Sequence, residues 1–143
     1  MDGLDVEWHR VERGVVVVIS RGRAGIPHLS GSFQGSATYT NLATGKDLTF
    51  RWRSIDKDLR ITDNGDGTST AVNQISGDRT WWSGGRRIAA DTGTTRYEVL
   101  LDNGCTPTDT SDDEVISVRT AQPSTGQNPD GFDFCTALIR YTT

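Results

Sequence analysis

Polar and apolar residues alternate with a period of two over much of this chain, and helical periodicity is scarce. In KDLTFRWRS (46–54), Leu48, Phe50 and Trp52 fall on one side while Asp47, Thr49, Arg51 and Arg53 fall on the other, the pattern of a half-buried strand. Trp52 is thereby expected in the core. Tyr97, Val99 and Leu101 alternate in the same way with Arg96 and Glu98. The VVVVI run at 15–19 is apolar at every position, which predicts a strand covered on both faces or forming the floor of a barrel.

Turn signals separate these runs: Gly22, Gly25 and Pro27; Asn41 and Gly45; NGDG at 64–67; Gly84 and Gly85; Asn103 and Gly104. Seven or eight strands with short connections follow, in an all-β fold that is a single antiparallel barrel or a barrel-like sandwich. A barrel is preferred because the spacing is that of simple hairpins, with no Greek-key excursion. Residues 103–114 and 121–131 read as surface loops. FDFCTALIRY (132–141) reads either as a short helix, with Asp130 as N-cap and Phe134, Leu138 and Tyr141 packing inward, or as a closing strand. No repeat or linker divides residues 1–143, so one β domain is expected.

Composition narrows the function. The hydrophobic share of 34% is low, but 16 Gly bring it towards the ordinary globular range, and a net charge of −4 with 4 Trp, 3 Tyr and 4 Phe argues against disorder. The acidic balance argues against a nucleic-acid partner, since phosphate-backbone binding relies on a clustered basic surface. No apolar run is long enough to span a membrane as a helix. No cofactor is expected, and the sequence sets no oligomeric state.

Candidate chemistry is sparse. DNGDGT (63–68) resembles a calcium loop, yet Gly65 and Gly67 occupy positions where an EF-hand needs oxygen ligands, so a hairpin turn is the better reading. Asp109, Asp112, Asp113 and Glu114 gather carboxylates in one loop, either as a weak calcium site or as a solvated acidic loop; no metal is expected. His28, at a strand start, could face a barrel mouth and act as a general base, with Asp56 or Asp58 orienting it; otherwise it is a partly exposed polar residue. Trp81 and Trp82 are adjacent and so face opposite sides of a strand. With Arg79, Arg86 and Arg87 beside them, they are the leading ligand-binding candidates, suited to a sugar, an aromatic metabolite or an anion. The alternative is a core tryptophan beside a snorkelling charged hairpin.

Four blocks also carry a resemblance: YTNLATGK (39–46), DKDLRITDNGDGT (56–68), RYEVLLDNGCTPTDTSDDE (96–114) and DGFDFC (130–135). In this order they resemble a group of small, uncharacterised exported proteins of high-GC Gram-positive bacteria, over roughly residues 20–143. The resemblance implies a β-rich fold and secretion, with the leader absent from this chain, and supplies no activity or catalytic residue. Group members generally carry Gly where Cys105 stands, and a Cys near the mature N-terminus that is missing here. That implies a changed partner for Cys135. A Cys105–Cys135 bridge would close a loop worth about 3–4 kcal/mol in the chain-entropy model. The other reading is two unpaired thiols.

Three functional classes remain. The first is a β domain that binds a small molecule or a partner without chemistry, and it is favoured by the lack of an acid/base constellation. The second is a small-barrel enzyme of cyclase or isomerase type with an internal pocket. The third is a structural module with a filled interior.

Overall fold

The computed structural model describes residues 4–127 and 132–143. Six strands, β1 (Val6–Arg21), β2 (Ile26–Asn41), β3 (Asp47–Asp63), β4 (Thr68–Ser83), β5 (Arg86–Asp102) and β6 (Glu114–Gln122), form one antiparallel sheet in sequence order. A short 3-10 turn (Thr110–Asp112) precedes β6, and one helix, α1 (Phe134–Thr142), lies at the C-terminal end.

The all-β expectation holds, but the barrel of seven or eight strands does not. There are six strands, and among the described residues β1 and β6 do not pair, so the sheet stays open with these two as edges. Five turns delimit six runs. The first five strands are 16 or 17 residues long, about three times the common strand length, so stretches that read as separate strands are halves of continuous ones. β6 has only 9 residues and pairs with β5 only from Arg96 onward. No full-length strand is therefore available on that side to meet β1.

Core packing is concentrated where α1 covers one end of the sheet. Leu48 is fully buried beneath Ala137 and Leu138, with Val6, Tyr39, Ile88, Phe132, Phe134 and Tyr141 packed around them. Ile88 reaches this cluster because a bulge shifts the register between Trp81 and Trp82. The 132–141 segment is thus helical, and it packs Phe134, Leu138 and Tyr141 as expected. Asp130 lies outside the described residues. The observed N-cap is Asp133, whose carboxylate accepts the Thr136 N–H at 3.0 Å and its hydroxyl at 2.7 Å. The Thr136 N–H and then its hydroxyl hold the Asp133 carboxyl below its ordinary pKa.

The other end of α1 is held by the turn between β2 and β3. Asn41 is buried; its Nδ2 donates to the Thr142 carbonyl at 3.0 Å and its Oδ1 accepts the Ala43 N–H. The Thr44 hydroxyl donates to the same carbonyl, and Lys46 Nζ to the Thr143 main-chain oxygen. Carbonyls orphaned at a helix C-terminus gain donors and a cation here, which suits both their hydrogen-bond capacity and the helix dipole. The NLATGK segment therefore works as a latch for the helix.

Far from α1, no described helix or second sheet covers the strands, and only small or polar residues such as Ser69, Ala71 and Thr95, with His28 and Asn103, are buried there. Residues 15–19 are 46–69% exposed, which corrects the expectation that this run is covered on both faces: β1 is an edge strand, and α1 reaches only the opposite end of the sheet. The Cys105–Cys135 bridge is corrected too. Cys135 opens α1 above Leu48, whereas Cys105 lies beside Gly67 at the far end of β3 and β4. The length of β3 between those points is roughly 50 Å at about 3.3 Å per residue, against a Cα separation of about 7 Å at most for a disulfide. Both cysteines are free and exposed.

Two outcomes follow. Leu48→Ala should cost about 2–5 kcal/mol of unfolding free energy in a urea titration, while Val17→Lys should change it by no more than about 0.5 kcal/mol; a large loss from Val17→Lys would mean that β1 is covered. Both thiols of the native protein should alkylate without reductant, giving a mass increase of two labels by mass spectrometry.

Candidate functional site

Strand pairing places side chains on one face of the sheet in cross-strand rows. Arg10, Ala37, Phe50, Trp81 and Ala89 form one row, and Glu12, Gly35, Trp52, Arg79 and Asp91 the next. Further from α1 come Gly14, Phe33, Ser54 and Gly77, then Val16, Gly31, Asp56 and Ile75. Large residues sit beside glycines, and this decides how the rings lie. A Cβ on Gly35 would come within 2.5 Å of both the Trp52 ring and the Val11 carbonyl, so only glycine lets the indole lie flat over β2. Phe33 lies between Gly14 and Gly31 in the same manner.

The result is an open trough of about 620 Å³, floored by Phe33, Phe50 and Trp52 with Trp8 and Tyr39 towards one end. Rings continue from the trough into the core. Trp52 stacks on Phe50 at 5.0 Å, Phe50 on Trp81 at 5.0 Å, and Trp81 on Phe132 at 4.3 Å. Offset ring stacking of this kind adds about 0.5–1.5 kcal/mol per pair beyond area burial. At the β1 margin, Glu12 accepts from Trp52 Nε1 at 3.1 Å and from Arg10 Nη2 at 2.9 Å, and the Arg10 guanidinium lies 5.1 Å above the Trp52 ring. These contacts fix the indole plane.

Asp56 and Arg79 supply the remaining polarity. Among the described residues, Asp56 Oδ1 is buried and has no hydrogen-bond partner. Burial pushes the Asp56 carboxyl above its ordinary pKa; the Ser54 hydroxyl and the Arg79 charge pull the other way, and Glu12 adds to the rise. Arg79 Nη1 lies 3.9 Å from buried Asp91, which also accepts from the Ser124 hydroxyl at 3.0 Å.

The residues expected from sequence are distributed differently. Trp81 is buried in the ring stack, so it is core. Trp82 points to the face opposite the trough, with the Arg51 guanidinium 5.2 Å from its ring and Arg87 opposite it on β5. Arg86 and Arg87 are exposed at the hairpin, and of the expected set only Arg79 lines the trough. Trp52, expected as core, is only half-buried and exposes its ring to the trough. Asp56 is in the trough, but His28 is not beside it. By strand alternation His28 shares the face of Ser30 and Ser32, opposite that of Gly31, and its Nδ1 hydrogen-bonds the Ile26 carbonyl at 3.0 Å. Asp58 accepts the Leu29 N–H at 2.8 Å and the Asn73 amide at 3.4 Å, serving the backbone rather than a histidine.

The acidic segments are spent on turns. Asp63 accepts the Gly65 N–H, and Asp66 accepts both the N–H and the hydroxyl of Thr68, as a hairpin reading requires. In the later loop, Asp109 caps the 3-10 turn through Ser111, and Asp112 accepts from the Thr106 hydroxyl at 2.8 Å. Burial, then the charges of Asp112 and Asp109, raise the Asp113 carboxyl. Among the described residues, no three His, Cys, Asp or Glu side chains gather as a metal site, Glu114 included. No described helix is long and apolar enough to cross a membrane.

Sequence reasoning missed Trp8, Arg10, Glu12, Phe33 and Ile75. For Phe33 the signal lay in GSFQGSATY (31–39), where Gly31, Gly35 and Ala37 share the odd positions with Phe33 and Tyr39; Trp8, Arg10, Glu12 and Ile75 join it only through strand pairing. No protein-family model matches the chain, and no curated protein or solved structure shows significant similarity to it.

The raised Asp56 carboxyl sets a pH dependence. With a folded pKa above the ordinary 3.8, the native state holds more protons than the unfolded chain between the two values, so stability falls as pH rises through that window and is unaffected below it. Asp56→Asn should therefore raise the urea midpoint at about pH 7 and lose this advantage near pH 3. A variant less stable than the parent at pH 7 would show that the Ser54 hydroxyl and the Arg79 charge outweigh the cost of burying the carboxylate.

Proposed function

We propose that the aromatic trough binds, without transforming it, a small molecule made of a flat apolar ring system bearing a hydrogen-bond donor, a hydroxyl or a protonated amine. The observation that carries this reading is the juxtaposition of exposed aromatic faces with a buried carboxylate oxygen, Asp56 Oδ1, that lacks a partner. Aromatic faces offer affinity to any flat ligand at little entropic cost, because the rings are already fixed by glycines and by Glu12. An unpartnered buried acceptor favours a ligand that brings a donor and penalises one that does not. In keeping with the resemblance to exported proteins, a secreted location belongs to the same proposal.

One observation favours a second reading. A carboxyl with a raised pKa in a cleft is a candidate general acid or base, as a cyclase or isomerase would need. Binding is preferred because the trough is open along its length, whereas such chemistry gains from a site closed to water.

Titration calorimetry with 2-naphthylethylamine, 2-naphthylethanol and 2-naphthylacetate separates the possibilities. The amine and the alcohol should bind more tightly than the acid. Trp52→Ala should weaken all three by about 2–10-fold, and Asp56→Asn should weaken the amine by about tenfold without penalising the acid. Absence of saturable binding by all three, or affinities unmoved by Trp52→Ala, overturns the proposal; conversion of a probe to product would favour the enzyme reading.

A further inference from the structure

We propose that the other face of the same sheet carries an oxyanion-binding site, formed by Arg13, Arg51 and Arg53 and suited to a phosphate or sulfate group. Strand pairing sets Arg13, Gln34, Arg53 and Asp78 in one cross-strand row. Arg51 stands two residues along β3 from Arg53 and so shares its face, opposite Ser36 and Thr80. At about 4.8 Å between strands and about 3.3 Å per residue, the backbones of Arg13 and Arg53 are roughly 10 Å apart and those of Arg51 and Arg53 roughly 7 Å. Those separations let long guanidinium arms converge over the shallow groove of about 580 Å³ that all three line.

How the guanidiniums are held is the telling point. Arg13 lies against the Gln34 side-chain amide, which turned oxygen-first accepts from its guanidinium, and Arg51 lies 5.2 Å from the Trp82 ring. Both are oriented by neutral groups. Among the described residues, neither Arg51 nor Arg53 forms an ion pair with a carboxylate, and Asp78 is the sole acidic side chain lining the groove. Elsewhere Arg10 and Arg119 are neutralised by Glu12 and Glu98. Three cations against one anion, in a chain of net charge −4, make a local reversal of sign. Positioned guanidiniums with their charge intact are what a tetrahedral oxyanion needs, since each fork can offer two parallel N–H donors. The Ser36 and Thr80 hydroxyls line the same groove. By strand alternation its arginines stand on the face opposite the aromatic trough, while Trp52 lines both pockets; the arginine variants leave Trp52 and Asp56 in place, so the two proposals are tested separately.

The same chemistry could come from a free phosphate compound or from phosphates along a polymer. Titration calorimetry at low ionic strength with inorganic pyrophosphate and with linear polyphosphate distinguishes them, using the native chain, the Arg51→Gln/Arg53→Gln double variant and Asp78→Asn. Pyrophosphate binding would identify a discrete site, and binding of polyphosphate alone a polymer-tracking one. In either case the double variant should lose at least about tenfold in affinity, Asp78→Asn should gain about 2–5-fold, and added salt should weaken the interaction. All three positions are exposed, so an unchanged urea midpoint will confirm that the double variant folds. If neither probe binds the native chain, or if the double variant binds as well as the parent, the proposal is wrong.

Discussion

One short helix covers one end of one sheet, and most of the molecule's character follows from that shortage of cover. An antiparallel sheet normally buries one face. Here five strands run for 16 or 17 residues, while α1 has 9, so the helix can shield only the rows around Leu48. Among the described residues the largest fully buried side chains lie at that end, Leu48 beneath the helix and Thr142 within it, while the buried residues farther off, such as Ser69, Ala71, Thr95 and Asn103, are small or polar. The latch by Asn41, Thr44 and Lys46 matters for the same reason: a helix this short is marginal on its own, and donors from the β2–β3 turn hold its last carbonyls against the sheet. Were the helix lost, Phe134 and Tyr141 would leave the cluster and the ring stack would lose Phe132.

Beyond the helix, glycines take over the organising role. In a two-layer protein the second layer keeps side chains in place. In the trough, Gly35 and the pair Gly14 and Gly31 do so by leaving room for Trp52 and Phe33 to lie along the sheet. Flat rings bury one face on the backbone and present the other outward, which offsets part of the cost of exposing an apolar surface. Arg10 and Glu12 complete the arrangement from the edge strand, and an Asp56 carboxylate at the end of the trough has no counterpart of that kind. Glu12 is thus satisfied at the margin, while Asp56 keeps one buried oxygen, Oδ1, without a partner among the described residues.

Much of the fold was legible from local chemistry. The alternation at Leu48, Phe50 and Trp52, the five turn signals and the helical option at 132–141 all follow from interactions between near neighbours in sequence. What alternation cannot reveal is how many layers will meet a face. The same pattern that makes Leu48 core leaves Trp52 half-exposed, four residues on, because α1 reaches one and not the other. Strand count failed for a related reason, since length is fixed by pairing across the sheet and not by the run itself. Pairing also split the expected Trp81, Trp82 and Arg79 group, sending Trp82 to the opposite face and Arg79 to the trough that Asp56 also lines. The pairing of His28 with Asp56 required them to share a face, and their registers on β2 and β3 have opposite parity.

An open sheet makes parity a functional variable in a way that a barrel would not. In a closed barrel one face is interior and the other solvent, so only inward positions build a pocket. In this chain both faces of β3 are open: Phe50, Trp52, Ser54 and Asp56 look into an aromatic trough, and Arg51 and Arg53 into a cationic groove. Two surfaces of opposite chemistry are thus written on alternate residues of one strand. A one-residue slip of β3 would place guanidiniums among the rings and aromatic rings among the arginines, destroying both surfaces at once. The bulge between Asp58 and Arg60 lies beyond the last of these residues, so the pairing of β3 with β4 is unbroken from Thr49 through Asp58. Regular register along that stretch is the condition on which both surfaces rest.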